Sequence, residues 1–163
     1  MHASAQFYRQ DNLVSDVPGL DQITDPAVRN PWGLAESPAT PFSVANNVTH
    51  VATVCDVDGA TGSVAKAPLE VAVPGPVTGE IFNRTTGFAL SSGMPALNLS
   101  DAMNGTIAGW NPAAGTQAEL PATEEPGPLF YTGLAIAMRA GEPLLYAARR
   151  WPTASCSTGA SRK

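Results

Sequence analysis

"NPWGLAESPATPFSVANN", Asn30 to Asn47, places two short apolar runs, Trp-Gly-Leu-Ala and Phe-Ser-Val-Ala-Asn, on either side of a Pro-rich turn. Trp32 to Glu36 reads as one strand, Ser37 to Pro41 as the turn and Phe42 to Asn46 as the returning strand. A similar pair comes back as "YTGLAIAMRAGEPLLYAA", Tyr131 to Ala148. Recurrence of one strand-turn-strand unit at a distance is the mark of a repeat architecture.

Reading outward from this stretch, "THVATVCDVDG" supplies a third strand, closed at Asp58-Gly59 by a hairpin signal. "APLEVAVPG", with Leu69, Val71 and Val73 alternating, supplies a fourth that stops at Pro74-Gly75. Four consecutive antiparallel strands fit one blade of a β-propeller. A second set reads as "TGEIFN", "GFAL", "PALNLS" and "TIAGWNP", and a third begins with "LFYTGLAIA" and "PLLYAA" before the pattern stops. The opening glycines, Gly33, Gly79 and Gly133, stand 46 and 54 residues apart. Four-stranded repeats of about 40 to 50 residues are propeller spacing, and a glycine in each inner strand suits a place where backbones crowd together. A β-sandwich also uses many short strands, but has no reason to repeat Gly-Leu-Ala at matching places.

Composition agrees. The 163 residues include 15 Gly and 15 Pro, which favours turns over long helices. No apolar run approaches the ~18 residues of a membrane-spanning helix. Charge is unevenly placed: up to Met138 there are 4 Lys/Arg against 13 Asp/Glu, and afterwards 5 against 1. The acidic body argues against nucleic acid as a partner. The final stretch, residues 149–163, lacks apolar alternation and is expected to be a disordered basic tail. "MHASAQFYRQ" has neither the basic start nor the apolar stretch of a signal peptide. A strand near Phe7 to Val14 is expected to act as a clasp on a last blade.

The motifs that could carry chemistry reduce to turns. "DVDG" at Asp56 resembles the start of a calcium loop, but its twelfth position is Ala67 rather than Glu. Asn-x-Ser/Thr triplets at Asn47, Asn83, Asn98 and Asn104 suit turns, where Asn and Thr bond to nearby backbone. His50 has no Gly-x-Ser-x-Gly serine to serve, and Glu124 and Glu125 point opposite ways in an extended chain. Cys55 is expected to be a buried small hydrophobe. No catalytic residue, metal ligand or cofactor is assigned.

The stretches "YRQDNLVSDVPGLDQITDP", "NPWGLAESPATPFSVANN", "PLEVAVPGP", "GTIAGWNP" and "YTGLAIA...LLYAA" together resemble an uncharacterised bacterial family of exported NHL-like β-propeller proteins, some with PEP-CTERM sorting signals. The resemblance covers most of Tyr8 to Ala148. It implies a six-bladed ring from a chain about twice this length, an extracytoplasmic location, and no established site to carry over. Beyond "LLYAA" the family pattern continues toward Val-Phe-Asp-Gly-Ser-Phe, whereas this chain reads "CSTGAS"; a change of reading frame accounts for both the departure and the charge reversal.

The expectation is therefore all-β: a partial, about three-bladed β-propeller of four-stranded antiparallel blades over residues 1–148, then the tail, itself out of frame. Its function is expected to be that of a non-catalytic binding or scaffold propeller in truncated form. The alternatives are a propeller lactonase or lyase with a metal in its central channel, and a non-functional fragment. The candidate binding surface lies at the mouths of the inner strands: Asn30, Trp32, Asn46, Asn47 and Tyr131. For Trp32 packing between blades competes with ligand contact. Three blades leave two lateral faces uncovered, so self-association through blade faces is expected.

Overall fold

The computed structural model describes residues 10–37, 40–120, 129–150 and 157–161. They form β-strands, turns and one short 3-10 turn, with no α-helix among the described residues. The expected first unit is a four-stranded antiparallel sheet, β3 (Pro31–Ser37), β4 (Thr40–Asn46), β5 (Val51–Val57) and β6 (Val64–Ala72), paired in chain order. Strand periodicity sorts its faces. Ser43, Ala45, Ala52 and Val71 are buried on one face, while Asn46, Thr53 and Cys55 are buried on the other. Cys55 is thus the buried small side chain its alternation suggested. The hairpin signalled at Asp58-Gly59 is present, joining β5 to β6 through a loop over residues 58–63. Asp58 Oδ1 accepts from the N–H groups of Ala60 (2.8 Å) and Thr61 (3.1 Å), an arrangement that favours a wider turn.

The second sheet comprises β7 (Val77–Phe82), β8 (Asn98–Ala102) and β9 (Ile107–Trp110). "GFAL" is not a strand, contrary to its reading in sequence. Asn83 Nδ2 donates to the carbonyls of Gly87 (3.0 Å) and Ala96 (2.9 Å), and its Oδ1 accepts from Thr85, closing the segment into a loop that delivers Leu90 to the core. The position outside β9 goes to Glu119, which exchanges two backbone hydrogen bonds with Gly109 at 2.8 Å. Trp110 Nε1, bonded to Gly115 O at 2.8 Å, helps fold the chain back there through the 3-10 turn Pro112–Ala114. The third sheet pairs β10 (Phe130–Arg139) with β11 (Glu142–Arg150), and β11 with β12 (Ser157–Ser161). Strand structure therefore runs past the expected boundary at Ala148.

Packing follows from the faces. Ala45, Ala52, Val71 and Val73 of the first sheet meet Val77 and Ala108 of the second; Leu90, Ala96 and Leu99 of the second meet Leu145, Leu134 and Ile136 of the third. Each fully buried Val or Leu contributes about 1.5–3 kcal/mol. The opening strands β3, β7 and β10 lie next to one another. A Cβ on Gly33 would stand 2.6 Å from Glu80 N and 2.7 Å from Thr78 O; one on Gly79 would stand 2.7 Å from Gly133 Cα. These distances are below any real Cβ contact, and the obstruction is backbone, which cannot swing aside. The recurring glycines thus mark two seams where one sheet's first strand presses on the next. At Gly133 the same Cβ meets nothing within 4 Å among the described residues.

On the far face of the first sheet the N-terminal segment closes over the outer strands. β1 (Val14–Ser15) pairs in parallel with β2 (Ile23–Thr24), and Asp25, almost fully buried, takes an ion pair from Lys66 Nζ at 2.8 Å. Much of the expected clasp strand, Phe7 to Arg9, lies outside the described residues.

Candidate functional site

Three of the five candidate residues come together. Asn30, in left-handed conformation at φ 52°, donates from Nδ2 to Asn47 Oδ1 at 3.3 Å, and Asn47 Nδ2 donates to Val77 O at 3.0 Å. Asn46, 0% exposed, spreads its amide over Val44 O, Val51 O and Thr53 Oγ1 at 2.9–3.1 Å. The cluster fastens the β4–β5 turn to the first residue of β7. Asn46 and Asn47 thus spend their amide hydrogens inside the protein and are buried, while Asn30 remains exposed. Trp32 lies on β3 with 47% of its surface exposed. Tyr131 lies on β10, where its carbonyl accepts from Thr78 Oγ1 at 2.9 Å.

The most unusual chemistry sits on two acids that no motif singled out. Asp101, 0% exposed at the end of β8, accepts at Oδ1 from Thr78 Oγ1 (2.7 Å) and Gly79 N–H, and at Oδ2 from Gly133 N–H (3.0 Å). One carboxylate thereby ties β7, β8 and β10 together at the second glycine seam. Burial pushes its pKa up, against the lowering effect of these donors.

Glu80 serves the first seam. Its Oε1 accepts from Ser43 Oγ (2.7 Å) on the first sheet and from Asn98 Nδ2 (3.0 Å) on its own. Its Oε2 is buried without a hydrogen-bond partner among the described residues. The side chain borders a cavity of about 30 Å³, room for a water molecule or two, walled by Val54, Val71, Trp110 and Ala118 and edged by Ser100. Burial in this apolar setting pushes the carboxyl up to about 6, with Ser43 and Asn98 pulling the other way.

Glu80 and Asp101 act on opposite faces of the second sheet, one toward Ser43 and the other toward Gly133. They cannot share a substrate as an acid/base couple, which needs both groups on one bond. Their geometry performs joinery between sheets. Sequence offered one clue: Asp101 follows Leu99 by two residues and so shares a face with a core leucine. Glu80 beside Gly79 carried no comparable signal. Among the described residues no three His, Cys, Asp or Glu side chains converge in a metal-binding group, and no described helix is long and apolar enough to cross a membrane.

No family model matches the chain, and no curated protein matches it.

Proposed function

We propose that the chain is a non-catalytic binding or scaffold module whose three main sheets are consecutive blades of a β-propeller of the exported NHL-like kind. The single observation behind this reading is the row of first strands, β3, β7 and β10, each pressed against the next at a recurring glycine. Radial stacking of blades demands such crowding at the inner strands and relaxes it outward. Two buried acids, Glu80 and Asp101, support the non-catalytic half of the reading, since both are committed to holding sheets together. Exposed Asn30, beside the β4–β5 turn at the start of β3, is the ligand-contacting residue in this proposal.

The rival is a lactonase- or lyase-type propeller with a metal in its channel. Melting temperature with and without millimolar Ca²⁺ separates the two. A site saturated a hundredfold above its Kd adds about 2.7 kcal/mol, equivalent to about 5–10 °C for a chain of this size. The proposal expects no such rise; a rise of that size refutes it.

A further inference from the structure

We infer that the open side of β10 is a docking surface for a second copy of this chain, with β3 of that copy seated against Gly133. The inference rests on the radial reading above and names the partner that completes it.

The argument is continuity. Gly33 is covered by the backbone of β7, and Gly79 by the backbone of β10, each at distances that exclude any side chain. Gly133 holds the third place in the row, yet a Cβ there has open space, and its φ lies outside the left-handed region, so neither crowding nor conformation within the described chain calls for glycine. Close approach by another strand does.

The two ends of the row are complementary. Along β10, Gly133, Ala135 and Ala137 alternate onto one face, with Ala148, Tyr146 and Leu144 of β11 opposite them; the three alanines are exposed, whereas Leu144 is covered. The open part, around Gly133, Ala135 and Ala148, is shallow. At the other end, the side chains that flank Gly33 on β3 point away from β7 and are bulky and apolar: Trp32 is 47% exposed and Leu34 62%. A protruding Trp and Leu match the glycine and alanines of β10, and the charges of the two faces stand at their ends, Glu36 on β3 and Arg139 opposite Glu142 on the third sheet. Because the two faces differ, the contact is head-to-tail, joining the β3 end of one copy to the β10 end of the next.

Three full-length variants test this by light scattering across a dilution series. Wild type is expected to associate, with its mass falling toward the monomer on dilution. Gly133→Val, whose side chain has room within one copy and suits a strand, is expected to be monomeric at every concentration while melting with dilute wild type. Trp32→Glu is expected to be monomeric for the opposite reason. Mixing the two variants restores a dimer, because one carries an intact β3 end and the other an intact β10 end. A wild-type chain that stays monomeric, a Gly133→Val that associates like wild type, or a mixture that fails to pair would each overturn the inference. None of these outcomes bears on the Ca²⁺ experiment, which tests the function by itself.

Discussion

Replacing Glu80 by Gln removes a charge from the seam between the first two sheets without changing its size. In the folded chain the carboxyl titrates at about 6, against an ordinary value of 4.5, because burial disfavours its ionised form. The native state therefore holds a proton between those values that the unfolded chain has released. Stability falls as pH rises through that window, by about 2 kcal/mol in all at 1.36 kcal/mol per pKa unit. Asp101 is shifted the same way, while Asp58 and Glu119 are shifted downward and slope oppositely, so the wild-type profile alone is a mixture. The difference between wild type and Glu80→Gln isolates the one group. Urea unfolding from pH 4 to 7.5 should show wild type losing about 2 kcal/mol more than the variant between roughly 4.5 and 6. Parallel profiles would refute the assignment of a buried, under-solvated carboxylate at this seam.

Two further substitutions follow from the same geometry. Asp101→Asn keeps one acceptor oxygen and turns an amide N–H toward one of the two backbone donors, Gly79 or Gly133, and should cost about 2–4 kcal/mol by urea unfolding; a loss below about 0.5 kcal/mol would contradict its role as the tie between β7 and β10. Cys55, whose thiol pKa is raised by burial and secondarily by Asp25, against the pull of Lys66, should react with a thiol reagent only as the chain opens. In a Cys156→Ser background, labelling at mildly alkaline pH should be slow natively and rapid in urea, and fast native labelling would show that β5 is open on that face.

The first sheet was legible because each of its strands carries its own alternation and lies between turn residues such as Asp58-Gly59 and Pro74-Gly75. The glycine recurrence was legible for the same local reason, and two of its three members, Gly33 and Gly79, stand at the seams. "GFAL" misled because four apolar or small residues satisfy a strand template, while the Asn83 side chain that bends them into a loop lies outside the window. Glu119 was missed as the outer pairing position because its segment is polar and its partner, Gly109, is reached only after the 3-10 turn. The asparagines Asn30, Asn46 and Asn47 lie near one another, but their chemical state was not readable: whether an amide faces solvent or its own backbone is decided by where Val77 arrives, thirty residues away from Asn47. The two working acids escaped for a related reason. A single carboxylate on a strand takes its meaning from the neighbouring sheet, and sequence spacing does not encode that neighbour.

The central claim is that the first strands of successive sheets touch backbone to backbone at the recurring glycines. Urea unfolding of Gly33→Ala, Gly79→Ala and Gly133→Ala in dilute solution tests it most directly. A methyl group forced within 2.6–2.7 Å of fixed backbone should cost about 1–3 kcal/mol for overpacking alone, and more at Gly79, where the Asp101 hydrogen bonds are displaced as well. The account predicts large losses at positions 33 and 79 and none at 133, where relief of glycine's backbone entropy adds about 0.5–1 kcal/mol of stability. Three equal losses, or none at 33 and 79, would contradict it.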